Sequence, residues 1–221
     1  PGVHAPYLAA RALGAIGPPA RPAVPALIKL LAGGNASARG RAAEALGNLG
    51  PEVAPEAIEP LTAAVKDPAS PVRVQAILAV GKFGDAGKTA LPALQENMRN
   101  ERSAERAQAA LSVWRLTNDT TEVLPLLRKL VNEADLEWEP IEVLGAMGPA
   151  AEPAVPELIG ALEKDESAQI PAARALGKIG PGAVRALPAL RKLLDHDEEA
   201  VRRTAQEAIE AIGGRLLGDR R

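Results

Sequence analysis

The amino-acid sequence predicts an all-α protein: an elongated, right-handed superhelix of about six antiparallel helix pairs preceded by one leading helix. Three observations support this fold class. The sequence repeats itself about every 33 residues. Apolar residues within each repeat recur at spacings of three and four, which is typical of one buried helix face. Aromatic residues make up only 2% of the chain, and the small Ala and Leu side chains that replace them favour closely packed helices.

A glycine that closes an "LGxxG" pattern marks each repeat. The second helices of the repeats therefore close at residues 17, 50, 84, 117, 148, 180 and 213, with Thr117 replacing glycine in the fourth unit. The intervals between these marks run from 31 to 34 residues. We therefore interpret residues 1–221 as a single repeat array.

A recurrent proline lies near the start of the first helix of each unit. It stands at Pro25, Pro60, Pro92, Pro125, Pro156 and Pro188. Proline costs little in the first helical turn, where the amide has no intrahelical acceptor, so these residues predict helix starts. In the fourth unit, Thr120 or Thr121 is the predicted N-cap, with Glu122 suiting the positive end of the helix dipole.

The second helix of each unit, such as "VRVQAILAVGKFG", ends at glycine, often followed by proline. Glycine adopts the left-handed C′ conformation cheaply and proline prevents continuation. Asn118 is the expected left-handed residue in the fourth unit. Because neither helix can bury its apolar face within one pair, the pairs must stack.

The paired pattern "PALxxLL…D…VRxxAxxALGxIG", present over residues 60–84 and 188–213, resembles the HEAT-repeat family. The "ALGxIGP" form is similar to bacterial HEAT-like repeats that also occur in bilin lyases. The resemblance implies a ladder of Asp and Arg residues. Its candidate pairs are Asp67 with Arg73 and Asp195 with Arg202. Arg39 and Arg106 match only the Arg of the pattern. Glu137 and Gln169 replace the Arg in the next two units, so the ladder should be weaker there.

The ends of the chain lack the polar caps that a solenoid normally carries, since the leading helix has no first-type partner. We therefore expect a piece of a longer array or of a fusion. The chain itself is expected to be monomeric or part of a longer chain.

Catalytic and metal chemistry finds little support. The chain has no Cys, and its two histidines, His4 and His196, lack a second ligand at metal-binding spacing. The acidic run 195–199 is expected to form a loop and a helix start. The stretch "GDAGKTA" at 84–90 lacks phosphate-loop spacing and is expected to be an ordinary turn. We predict no catalytic residue, no cofactor and no enzymatic activity.

Net charge and hydropathy limit the classes of partner that the chain is expected to bind. The net charge of −2 gives no global attraction to nucleic acid or anionic lipid. No apolar run approaches the roughly 20 residues that span a bilayer. We expect a soluble protein with no membrane partner, and we regard nucleic acid as a disfavoured partner.

In related folds the second helices line the concave face, so exposed positions should form columns along it. One column is Ala15, Asn48, Lys82, Arg115, Ala146, Lys178 and Ala211, and its neighbour is Leu8, Arg41, Gln75, Gln108, Glu139, Pro171 and Thr204. The middle of this face is polar and mildly basic, which suits an acidic peptide or protein, although charge on a helix face also serves simple solvation.

The stretch "SVWRLTND" departs from the repeat, because Trp114 stands where other units have glycine. One interpretation is that Trp114 fills a gap left by altered stacking. The other is that Trp114, Arg115 and Trp138 anchor a partner, since Trp and Arg are enriched at binding hot spots. The candidate partner-binding residues are Trp114, Arg115, Trp138, Lys82, Arg41, Gln75, Gln108 and Lys178.

The leading hypothesis is a non-catalytic interaction or scaffold module that binds a protein or peptide on its concave face. The resemblance leaves two alternatives open. One is a HEAT-like bilin lyase or lyase subunit, and the other, less favoured, is nucleic-acid binding of the kind found in HEAT-like DNA glycosylases.

Overall fold

The computed structural model describes residues 5–133 and 138–218, with the side chains of 103 and 214–218 excepted. Within these residues the chain forms thirteen α-helices joined by turns and short 3-10 segments, and no strand. The chain divides into two compact units, an N-terminal unit, Pro1–Asp119, and a C-terminal unit, Thr120–Arg221. The all-α prediction is confirmed.

The N-terminal unit holds the leading helix and three helix pairs. Its helices are α1 (Ala5–Ile16), α2 (Val24–Gly33) with α3 (Ala36–Asn48), α4 (Ala54–Ala64) with α5 (Ser70–Val80), and α6 (Leu91–Asn97) with α7 (Ser103–Thr117). The second-type helices α1, α3, α5 and α7 pack on one another in that order, and the first-type helices α2 and α4 also pack together. The repeat therefore forms two layers of helices.

The C-terminal unit holds three more pairs. They are α8 (Val123–Val131) with α9 (Trp138–Met147), α10 (Val155–Lys164) with α11 (Glu166–Ile179), and α12 (Leu187–Lys192) with α13 (Glu199–Gly218). Helix α11 packs between α9 and α13, and α10 packs between α8 and α12. The described residues thus contain the predicted six pairs and leading helix. The prediction that 1–221 is one array stays a prediction.

Glycines in the left-handed region end the second-type helices, as predicted. Gly17, Gly50 and Gly180 have φ of 72°, 90° and 74°. Asn118 takes this role after α7, with φ of 54° and its N–H donating to the Trp114 carbonyl at 2.7 Å. Thr117, which the repeat spacing aligns with the closing glycines, instead forms the last helical residue, so α7 is one residue longer than the pattern indicates.

The last predicted helix end is wrong, because α13 continues through Gly213. No proline follows Gly213, whereas proline follows Gly17 and Gly50 and prevents the helix from continuing there.

The proline markers begin four of the six first-type helices. Pro25, Pro92, Pro156 and Pro188 lie at the first or second helical position. Pro60 does not: it lies inside α4, and Pro55 occupies the start of that helix instead. Pro125 is the third residue of α8.

The predicted N-cap of α8 is also wrong. Glu122 occupies the cap position, and no side chain there makes a capping hydrogen bond. The Thr120 carbonyl accepts from the Leu124 N–H at 3.0 Å, so the turn that precedes the helix is closed by the backbone.

Close approach between successive second-type helices explains the first glycine of "LGxxG". A Cβ at Gly47 would lie 2.7 Å from both Cα and Cβ of Ala79, and one at Gly177 would lie 3.0 Å from Cα of Ala208. Real Cβ atoms do not come as close to backbone as 2.7 Å, so glycine is required at Gly47, whereas at Gly177 the neighbouring helix would have to shift slightly to admit a larger residue. Trp114 stands at the equivalent position of α7, the last second-type helix of the N-terminal unit.

The expected Arg ladder joins neighbouring repeats in the N-terminal unit. Arg39 forms a bidentate salt bridge with the Asp67 carboxylate, in which Nε donates to Oδ2 and Nη2 donates to Oδ1, each at 2.8 Å. Arg73 binds Glu105 in the same way, at 2.9 and 2.6 Å. Asp67 therefore pairs with the Arg of the preceding repeat, and its own Arg73 reaches the next one.

Each ladder arginine also secures the turn before its own helix. Arg73 Nη1 donates to the Asp67 carbonyl at 2.7 Å, and Arg202 Nη1 donates to the carbonyls of His196 and Asp197 at 2.6 Å. Gln169 cannot do this, and its Oε1 is buried without a hydrogen-bond partner. The predicted weakening of the ladder at Gln169 is consistent with this, whereas Glu137 lies outside the described residues.

Candidate protein-binding surface

The first predicted column is exposed along its described length. Asn48 on α3, Lys82 in the turn after α5 and Arg115 on α7 are all exposed in the N-terminal unit. We call these three residues the Lys82 face. In the C-terminal unit the exposed members of the column are Ala146, Lys178 and Ala211, so Lys178 stands between two alanines. Cationic side chains are concentrated on the Lys82 face.

Helix spacing positions Lys82. Its Cδ lies 3.6 Å from where a Gly47 Cβ would be, so the lysine stem crosses the preceding helix at the glycine. Its Nζ donates to Asn48 Oδ1 at 2.7 Å. The partner of the ammonium is thus a neutral amide, which leaves its charge uncompensated by that contact.

The guanidinium of Arg115 has no hydrogen bond or ion pair to any described residue. Partial desolvation lowers the pKa of Arg115. Desolvation also lowers the pKa of Lys82, and repulsion from Arg115 lowers it further, against a smaller opposing effect of Glu44. The two cations are therefore close enough to repel each other, and a carboxylate placed between them would relieve that repulsion.

The neighbouring column is less accessible than predicted. Arg41, Gln75 and Gln108 are half-buried, and Thr204 is buried, with its hydroxyl donating to the Ala200 carbonyl at 2.8 Å. A short polar side chain can sit in this layer because it bonds its own helix backbone. Exposure was therefore wrongly expected at Thr204.

Arg41 is already engaged within the protein. Its Nη1 lies 2.6 Å from Glu44 Oε2, and its guanidinium carbon lies 5.1 Å above the Tyr7 ring. These residues and Gln75 line a groove of about 560 Å³. Sequence reasoning missed Tyr7, although it is the single tyrosine of the chain and lies one residue before Leu8 of the predicted column.

The two tryptophans differ in exposure. The Trp114 indole Nε1 is buried without a hydrogen-bond partner. Trp138, the first residue of α9, is 54% exposed and lines a groove of about 300 Å³ with Glu142, Ile170 and Arg174. Of the predicted anchors, Trp138 is thus an exposed aromatic side chain, whereas Trp114 is half-buried with its indole N–H enclosed.

Two further expectations concern chemistry. The stretch 84–90 forms a 3-10 turn in which Lys88 pairs with Asp85 at 2.7 Å, as expected for an ordinary connection. His196 accepts from the Glu198 N–H through Nδ1 at 3.1 Å, in the turn before α13. Among the described residues, no group of three or more His, Cys, Asp or Glu is arranged to hold a metal ion.

None of the helices in the described ranges has the length and apolarity needed to cross a membrane.

Comparison with protein families agrees with this architecture. A model described as HEAT repeats matches residues 24–115 and 124–212. A model described as PBS lyase HEAT-like repeat matches residues 6–33. Since the HEAT matches cover most of the chain, the protein belongs to the HEAT-repeat family. The gap between them, 116–123, contains the boundary of the two compact units.

Two solved structures with TM-scores of 0.56 and 0.50 share this fold. An engineered protein from the Northeast Structural Genomics Consortium is 23% identical with a TM-score of 0.56, over 86% of this chain and 96% of that chain. A computationally designed armadillo repeat protein for modular peptide recognition is 20% identical with a TM-score of 0.50, over 86% and 99%. The CpcE–CpcF complex of phycocyanin lyase from Nostoc is 22% identical with a TM-score of 0.48, over 85% and 88%. No curated protein matches the chain.

Proposed function

We propose that this protein is a non-catalytic interaction module that binds an acidic segment of a partner protein on the Lys82 face. The observation that carries the proposal is that two exposed cations, Lys82 and Arg115, lie close enough to repel each other. Lys82 is bound to a neutral amide, and Arg115 has no hydrogen-bonding partner among the described residues.

The energetics favour a carboxylate ligand. A hydrogen bond to a charged group contributes about 1.5 to 3 kcal/mol. The planar guanidinium of Arg115 can bind a carboxylate through two parallel N–H donors, and it is already partly desolvated. The cost of removing it from water is therefore partly met in the free protein.

The second-helix layer also offers groups for a peptide backbone. Gln75 and Gln108 occupy equivalent positions on α5 and α7, and their side-chain amides make no hydrogen bond to described residues. An extended peptide that crosses these helices could exchange hydrogen bonds with both amides. Repeat proteins use such extended surfaces for binding, and the designed armadillo protein similar to this chain was made for peptide recognition.

A direct test uses a fluorescent decaglutamate peptide and fluorescence anisotropy at low and high salt. We expect binding to the wild-type chain and at least a tenfold loss of affinity in the Lys82→Ala, Arg115→Ala double variant. The matched control is Lys29→Ala, which removes an exposed cation from a first-type helix and should change affinity less than twofold. Equal loss in both variants would indicate attraction by overall charge and refute the proposal.

Two alternatives have their own readouts. The match of residues 6–33 to a PBS lyase HEAT-like repeat favours a lyase, which requires that the protein bind free bilin and alter its visible absorption. A nucleic-acid-binding function requires retention on duplex DNA that falls steeply with salt. Either result, together with no binding of the acidic peptide, would replace the proposed function.

A further inference from the structure

Lys82 differs from other lysines of the chain in the group that it binds. Three of the described lysines form an ion pair with a carboxylate, namely Lys66, Lys88 and Lys192. Lys82 instead donates to a neutral acceptor, Asn48 Oδ1, at 2.7 Å. It forms no ion pair with any described carboxylate, so no salt bridge holds its amine in the charged form.

Lys178 is the equivalent residue of the C-terminal unit and provides an internal reference. Both lysines are exposed, and both stems cross the preceding second-type helix at its first glycine. Cδ of Lys82 lies 3.6 Å from the position of a Gly47 Cβ, and Cδ of Lys178 lies 3.6 Å from that of a Gly145 Cβ. The two side chains are therefore placed alike on the repeat.

The residues that flank the two lysines along the column are different. Asn48 and Arg115 flank Lys82, whereas both flanking residues of Lys178 are exposed alanines. Any difference in reactivity between the two amines therefore reports the effect of a polar amide and a second cation at an otherwise equivalent position.

The surroundings of Lys82 favour the neutral amine, which is the nucleophilic form. Partial desolvation lowers the pKa of Lys82, repulsion by Arg115 lowers it further, and Glu44 opposes both to a smaller extent. The Glu44 carboxylate is itself paired with Arg41 at 2.6 Å. A lysine that is desolvated or lies next to another cation is an activated nucleophile, because the unprotonated nitrogen carries the lone pair that attacks a carbonyl carbon.

Arg115 supplies a binding group for an anion beside that nucleophile. Its guanidinium is exposed and makes no hydrogen bond or ion pair to described residues. A guanidinium binds phosphate through two parallel N–H donors. A reagent in which phosphate is attached directly to a carbonyl carbon can therefore place its phosphate at Arg115 and its carbonyl at Lys82. Acyl phosphates are the class of compound with this arrangement.

We propose that Lys82 is an acylation site that accepts acyl groups from acyl phosphates, with Arg115 holding the phosphate group. The neutral Nζ attacks the carbonyl carbon and a C–N bond forms, while the C–O bond to phosphate breaks and its electron pair leaves with the phosphate. The proton that Nζ loses ends on the departing phosphate. The products are an N-acyl-lysine and hydrogen phosphate.

This inference goes beyond the proposed function and does not rest on it, because the reaction requires no bound peptide. If both hold, the two are linked, since acylation removes the charge of Lys82 and would weaken binding of an acidic segment on the Lys82 face. Acylation would then act as a switch for that surface.

The relative acetylation rates of Lys82 and Lys178 test the proposal without any peptide. The wild-type chain is treated briefly with acetyl phosphate at about pH 7.5, then unfolded and fully acetylated with deuterated acetic anhydride. Fragment ions of each peptide then give the light fraction at each lysine by mass spectrometry. We expect the initial rate at Lys82 to exceed that at Lys178 by at least about threefold. Equal rates at the two lysines would overturn the proposal.

Two variants exchange the surroundings of the two lysines. Arg115→Ala should bring the rate at Lys82 to within about twofold of that at Lys178. The double variant Ala146→Asn, Ala211→Arg gives Lys178 both neighbours of Lys82 and should raise its rate at least about threefold. All three changed positions are exposed, so far-UV circular dichroism should show an unchanged helix content.

A neutral acyl donor separates the reactivity of Lys82 from recruitment of phosphate by Arg115. p-Nitrophenyl acetate carries no phosphate, so the preference for Lys82 over Lys178 should be smaller with this ester than with acetyl phosphate. A preference that is equally large with the ester, or that survives Arg115→Ala, would overturn the assignment of acyl phosphates to this site.

Discussion

Gly47→Ala tests whether the repeat glycine is dictated by helix spacing. The new methyl carbon would lie 2.7 Å from Cα and Cβ of Ala79, against about 3.5 to 4.0 Å for a favourable carbon–carbon contact. Because one of these atoms is backbone, helix α5 itself would have to move. Overpacking of a well-packed interior costs up to about 3 kcal/mol.

Helix propensity works in the opposite direction. Replacing glycine by alanine inside a helix gains about 1 kcal/mol, so the net effect at Gly47 is a loss of about 2 kcal/mol in the free energy of unfolding. Gly160 provides the matched control, since a Cβ there meets no atom within 4 Å and it lies within α10. Gly160→Ala should therefore stabilise the protein by about 0.5 to 1 kcal/mol.

Urea unfolding followed by far-UV circular dichroism measures both variants. The account predicts shifts of opposite sign for the same chemical change. If Gly47→Ala proved as stabilising as Gly160→Ala, helix spacing would not be the reason for the repeat glycine, and the explanation of the repeat would fail.

Three other outcomes follow from the structure. Glu105 is 1% exposed; burial alone would raise its pKa, but hydrogen bonds from Arg73 and Ser70 outweigh burial and lower it. Glu105→Gln should therefore cost about 3 kcal/mol at pH 7, and this deficit should shrink as the pH falls below about 4, as acid titration of stability would show; a pH-independent deficit would exclude the ion pair as its cause. Asn118→Val should lower the free energy of unfolding by about 1 to 2 kcal/mol because φ is 54°, whereas Asn118→Gly should be tolerated. A Trp138→Phe variant should emit blue-shifted fluorescence that acrylamide quenches poorly, since Trp114 is the remaining indole; red-shifted, readily quenched emission would instead make Trp114 a surface anchor.

The sequence was sufficient for features that recur in every repeat. Period, helix order and the left-handed role of Asn118 follow from spacing and backbone chemistry alone, because each is imposed by a local requirement. The exposed Lys82 and Arg115 were found in the same way, since a solvent-facing position repeats with the helices.

Features that depend on pairing between repeats were harder to predict. Glu105 completes the ladder with Arg73 from inside α7 rather than from the turn where the family pattern expects an acid, so only the fold reveals it. Pro60 fitted the proline marker by residue type, yet the turn after Gly50 is short and α4 begins before it. Helix phase after a turn depends on packing, which the local sequence does not specify.

The central claim is that an acidic segment binds between Lys82 and Arg115. Titration of the Lys82 side chain by NMR, with and without saturating decaglutamate peptide, tests it most directly, because desolvation and repulsion by Arg115 lower the pKa of Lys82 in the free protein. A bound carboxylate should raise that pKa, and the side-chain signal of Lys29 should stay unchanged. A Lys82 titration that is the same with and without bound peptide would contradict the account.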